Sequence, residues 1–61
     1  MTVEQAMEMV GVDLYFEVMS DGRLIEEGRY DIISRTKDFL VDRIEIINVN
    51  DPELMMCIIS I

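Results

Sequence analysis

Residues 54–61 read Leu54-Met55-Met56-Cys57-Ile58-Ile59-Ser60-Ile61, apolar at seven of eight positions, in a 61-residue chain whose formal net charge is −8. A strand with one wet face alternates apolar and polar residues. This run is apolar at both parities, which predicts a strand covered on both sides. A domain of about 60 residues buries only about 60% of the surface its unfolded chain exposes, so little material is left to cover two faces. Four strands of about seven residues present a face of roughly 19 by 24 Å. A nine-residue helix projects only roughly 14 by 10 Å onto it. The imbalance predicts burial against a second molecule, and a two-fold homodimer is the commonest closed arrangement. Met55, Cys57, Ile59 and Ile61 are the candidate interface residues, or the opposite set Leu54, Met56 and Ile58, whichever the helix leaves free.

The remaining pattern predicts one α+β domain over residues 1–61, an N-terminal helix packed on a small, largely antiparallel four-stranded sheet. Thr2 can cap a helix over 2–10, with Gln5 in the reciprocal capping-box position. Val3, Ala6, Met7 and Val10 fall on one face of it, and Gly11 is placed to end it. Leu14, Phe16 and Val18 alternate with polar neighbours and predict a half-buried strand over 12–19. Asp21-Gly22 is the dipeptide of a type I′ hairpin turn. A return strand is expected over 23–33, with Gly28 breaking the alternation as a bulge. A short helix or turn over 35–41 would bring Phe39 and Leu40 inward. Strands over 43–49 and 54–60 complete the sheet, joined at Asp51-Pro52. Ile47, Val49, Met55, Cys57, Ile59 and Ile61 are then expected opposite Ile44, Ile46, Leu54, Met56 and Ile58. A sheet curled into a small barrel is the alternative architecture.

The chemical inventory is thin. Cys57 is the only cysteine and there is no histidine, which excludes an intrachain disulfide, Ser-His and Cys-His pairs, and in practice a zinc site. Cys57 lacks a basic neighbour and reads as a buried, inert thiol. Asn48–Glu53 carries oxygen ligands at alternating positions, but the glycine and distal acid of a calcium loop are missing, so a turn is the better reading. No catalytic residues, metal or cofactor are assigned. A carboxylate- or metal-dependent enzyme is the remote alternative to a non-enzymatic protein. The acidic start, the lack of a long apolar stretch, and a cysteine followed by four residues rather than three predict a cytoplasmic chain without membrane or lipid attachment.

Charge is uneven. Residues 1–21 hold five acids and no Lys or Arg, whereas residues 22–43 hold five of each sign. Glu4, Glu8, Asp13, Glu17 and Asp21 are therefore candidates for an acidic face. Such a face repels nucleic acid and attracts basic protein surfaces. It could also imitate a row of phosphates, or simply keep an apolar chain dispersed. Six methionines suit core filling, with Met9 and Met19 on the polar sides of their elements.

The Thr2-Val3-Glu4-Gln5-Ala6 opening, the acidic strand ending in Asp21-Gly22, the Leu40-x-Asp42-Arg43-Ile44 step and the apolar last strand resemble small proteins of prophages and other mobile elements of Gram-positive bacteria. The resemblance is one of layout and carries no active-site motif. It implies a mobile-element context, where small acidic proteins include inhibitors of host defence and of DNA-binding proteins. The expectation is a small acidic interaction module that binds or inhibits a basic protein, with a structural homo-oligomer as the alternative.

Overall fold

The computed structural model describes residues 1–48 and 55–61. The expected Asp51-Pro52 turn, the Asn48–Glu53 oxygen ligands beyond Asn48, and the placements of Val49 and Leu54 lie outside the described residues. Helix α1 spans Val3–Val10. All four amides that a helix start leaves without intrahelical partners are satisfied. Gln5 N–H donates to Thr2 Oγ1 (3.2 Å) and Thr2 N–H donates to Gln5 Oε1 (2.9 Å), closing the capping box. Val3 and Glu4 N–H donate to the carbonyls of Phe39 (2.9 Å) and Lys37 (3.0 Å). At the other end Gly11 N–H donates to Met7 O (3.0 Å).

Strands β1 (Tyr15–Ser20), β2 (Arg23–Arg29), β3 (Arg43–Asn48) and β4 (Met55–Ser60) form one sheet in the order β2-β1-β4-β3. The β1/β2 and β3/β4 pairs are antiparallel, and the central β1/β4 pair is parallel. Asp21 and Gly22 both take positive φ (51° and 77°), as a type I′ turn requires. The sheet is open, with β2 and β3 as its edges, so the barrel alternative does not apply.

Two local expectations are corrected. The extra residue in β2 is Ile25, because Val18 pairs with Glu26 and Met19 with Leu24, while Gly28 stays in register with Phe16. Gly28 instead serves a close approach. Its φ is +145°, and a Cβ there would meet Ile32 Cγ2 at 2.8 Å. The chain therefore leaves the sheet at Arg29 rather than Ile33, turning through Tyr30–Ile32 with Ile32 and Ile33 N–H both donating to Arg29 O. That turn delivers Ile33 to the core at 4% exposure.

The 35–41 segment is a succession of turns, and Phe39 and Leu40 point outward, 51% and 73% exposed. Its backbone is occupied in capping α1 and in the Thr2–Leu40 bridge, and Thr36 is the residue it buries. A single carboxylate anchors this strap. Glu26 Oε2 accepts from Ser34 N–H (3.0 Å) and Arg35 N–H (3.3 Å), and Oε1 from Thr36 N–H (3.0 Å) and Thr36 Oγ1 (2.9 Å). Burial pushes the Glu26 carboxyl up, but the hydrogen bonds from Ser34, Thr36 and Arg35 outweigh it and hold its pKa at about 2.

The core lies between α1 and one face of the sheet. Val3, Ala6 and Met7 meet Phe16, Val18, Cys57 and Ile59, and Ile33 closes one end. Register places Ile46 beside Cys57 and Ile44 beside Ile59, so these four share the helix-covered face. The expected grouping had them on opposite faces. A connection one residue longer or shorter reverses every side chain of a strand, and strand parity alone does not fix that choice.

Candidate interaction face

Alternation in each strand sends the other half of the side chains to the face that α1 does not cover. Register aligns them in three rows across the sheet. Arg29, Tyr15, Met56 and Ile47 form the first; Glu27, Glu17, Ile58 and Glu45 the second; Leu24, Met19, Ser60 and Arg43 the third. Adjacent strands lie about 4.8 Å apart, so the middle row sets two carboxylates side by side, then Ile58, then a third carboxylate. Met56, Ile58, Ile47, Met19 and Glu17 are half-buried, while Tyr15 and Leu24 are exposed. The face is thus an apolar field crossed by an acidic row, with Arg29 and Arg43 at opposite corners.

Glu17 and Glu27 are direct cross-strand partners. Like charges placed this way destabilise a sheet. The Tyr15 hydroxyl belongs to the same group: burial, hydrogen bonding to Glu27 and the charges of Glu27 and Glu17 all hold its proton and raise its pKa. Arg29, in the neighbouring row, is turned toward the backbone, its Nη1 donating to Asp13 O at 2.8 Å.

The acidic candidates do not gather on one surface. Glu4 and Glu8 belong to α1 and lie on the opposite layer, where Glu8 Oε2 accepts from the Tyr30 hydroxyl at 2.7 Å. Tyr30 is raised by that bond first, then by burial and by the charges of Glu8 and Glu4. Asp13 is exposed in the α1–β1 turn and Asp21 at the hairpin tip. Only Glu17 stands on the open face, joined there by Glu27 and Glu45. Alternation in β1 and β3 hinted at Glu17 and Glu45, but bringing them into one row needs the parallel β1/β4 contact.

Among the interface candidates, Cys57 and Ile59 are fully buried inside the chain's own core, Ile61 packs against that core, and Met55 is 40% exposed. The helix therefore uses this set, and the free set is the opposite one, represented among the described residues by Met56 and Ile58. Burial pushes the Cys57 thiol up, away from thiolate chemistry. Among the described residues no group of three or more acidic or thiol side chains is placed to hold a metal ion. No helix there is long and apolar enough to cross a membrane. Comparison with known proteins finds no matching family model, and neither a curated protein nor a solved structure that matches the chain.

Proposed function

We propose that the chain is a non-enzymatic interaction module whose open sheet face docks a cationic, amphipathic surface of a partner protein. The observation that carries this reading is the Glu27-Glu17-Ile58-Glu45 row set among Tyr15, Met19, Met56 and Ile47. Two adjacent carboxylates that oppose folding are relieved when a cation is placed over them. The apolar neighbours supply the area that a charge contact alone lacks.

A second copy stacked on this face meets its own charges. A two-fold axis along the strands lays Glu27 over Glu45 of the other copy, and one across the strands lays Glu17 and Glu27 over themselves. A cationic partner has no such conflict. The mobile-element resemblance fits an inhibitor acting on a basic protein in the cytoplasm, and that context belongs to this proposal.

The test uses an amphipathic helical peptide of Lys, Arg and Leu, titrated by calorimetry at low and high salt. Binding should weaken steeply with ionic strength and should be reduced by Glu17→Lys and Glu27→Lys. Affinity indifferent to both salt and these substitutions would remove the proposal.

A further inference from the structure

The two edges of the sheet are not equivalent. The β2 edge is blunted three times: Ile25 bulges, Arg35 Nη2 donates to the Ile25 carbonyl at 3.1 Å, and the Glu26-held strap folds back against it. Among the described residues the β3 edge has none of these devices. It is six residues long without glycine, proline or a register break. Among the described residues, no backbone hydrogen bond outside the β3/β4 ladder involves Arg43–Asn48. Ile46 stands on this edge 50% exposed. An edge of this kind is a template for another strand.

We infer that the β3 edge is the site at which a second copy of this chain adds its own β3, antiparallel, to give a continuous eight-stranded sheet. The occupant follows from charge and symmetry. In a strongly acidic chain β3 is locally neutral, carrying Arg43 and Glu45. A two-fold axis normal to the sheet keeps the helix-covered faces of both copies on one side. It must then pass through a residue, so that side-chain direction and outward backbone groups match between copies.

Three residues near the middle of β3 can take that place. An axis at Glu45 sets Glu45 against itself. An axis at Ile46 leaves Glu45 opposite Ile47. An axis at Ile44 sets Arg43 of each copy opposite Glu45 of the other, with Ile44 against Ile44 between them. The last register pairs opposite charges twice within the strands and joins Ile44 to Ile44 on the core side. It spans residues 42–46 of each copy, with Asp42, exposed in the bend before β3, facing Ile46 at either end. It engages Glu45 at the seam and leaves Tyr15, Glu17, Glu27 and Met19 open, so the dimer displays two docking faces, each centred on its Glu17–Glu27 pair. The inference does not depend on what those faces bind.

Sedimentation equilibrium from micromolar to millimolar chain tests it. The expected result is a mass rising from 7.1 kDa toward twice that value. Arg43→Glu and Glu45→Arg should each weaken dimerisation by roughly tenfold or more, since two cross-strand pairs turn from attraction to repulsion together. The double reversal Arg43→Glu/Glu45→Arg should restore it. Both residues are exposed, and circular dichroism of each variant verifies the fold. Amide exchange supplies a second readout, with the β3 edge amides gaining protection in the concentrated sample. A chain monomeric throughout, single reversals without effect, or a double reversal that fails to restore the dimer would each overturn the inference. Glu17→Lys should leave dimerisation unchanged, which separates this result from the fate of the docking face.

Discussion

Removing the Glu26 carboxylate releases the strap that completes the core. In Glu26→Ala, Ser34 and Arg35 N–H are exposed and recover water as partner, whereas Thr36, at 1% exposure, leaves its N–H and hydroxyl without an acceptor. A buried orphaned group costs about 1–3 kcal/mol, so the two together cost about 2 kcal/mol at the low end, which applies to a site that water can partly reach once the carboxylate is gone. The pKa gives an independent figure. Lowering a carboxyl from 4.5 to about 2 corresponds to at most ~3.5 kcal/mol, and solvent access to this partly exposed group reduces that to about 1–2 kcal/mol. The two routes agree on about 2 kcal/mol, a fall in Tm of roughly 10 °C for a domain of this size.

The pH dependence distinguishes the carboxylate from mere packing. A depressed pKa gives stability that is fully present above the unfolded value of 4.5 and is lost as pH falls toward about 2. Urea unfolding of wild type and Glu26→Ala should therefore differ by about 2 kcal/mol at neutral pH, with the charge-linked part of that gap closing across this window. Taking the difference cancels the general effect of titrating the other acids. A gap below about 0.5 kcal/mol at neutral pH, or one of unchanged size down to pH 2, would refute the assignment.

Gly28→Ala should destabilise by about 2–3 kcal/mol in thermal melts, because φ +145° is strained for any side chain and Ile32 Cγ2 lies 2.8 Å from the new Cβ. Ile59→Ala should cost about 2–5 kcal/mol and Ile58→Ala under about 1, since only Ile59 lies beneath α1; equal costs would mean the face assignment is wrong. Thr2→Ala removes the cap and one arm of the capping box and should cost about 1 kcal/mol by the same denaturation assay. Glu17→Lys should raise stability by roughly 0.5 kcal/mol, replacing a like-charged cross-strand pair with an opposite one, while weakening binding of the cationic peptide.

Local features of the fold were legible in the residues. The capping box at Thr2 and Gln5, the helical face of Val3, Ala6 and Met7, the Asp21-Gly22 turn and the alternation of Phe16 and Val18 each depend on a few neighbouring positions. The parallel β1/β4 pairing was not legible, because nothing within either strand states which partner it takes. Face matching between β3 and β4 failed for the same reason, and which of the two interface sets the helix covers, the one with Cys57 and Ile59, was likewise not written in the strand. Glu26 read as an ordinary strand residue, because its four donors come from residues eight to ten positions away in a segment without regular structure. The acidic series was visible as composition, but the row on the open face was not. Glu17, Glu27 and Glu45 become neighbours only through three strand pairings.

Where a cationic ligand lands is the most direct test of the account. Amide and side-chain chemical-shift mapping of the ¹⁵N,¹³C-labelled chain with the Lys-Arg-Leu peptide would locate it. The account predicts the largest changes at Tyr15, Glu17, Glu27, Glu45, Met56 and Ile58, fading as salt is raised. Changes centred on Glu4 and Glu8 of α1, or scattered without regard to face, would contradict it.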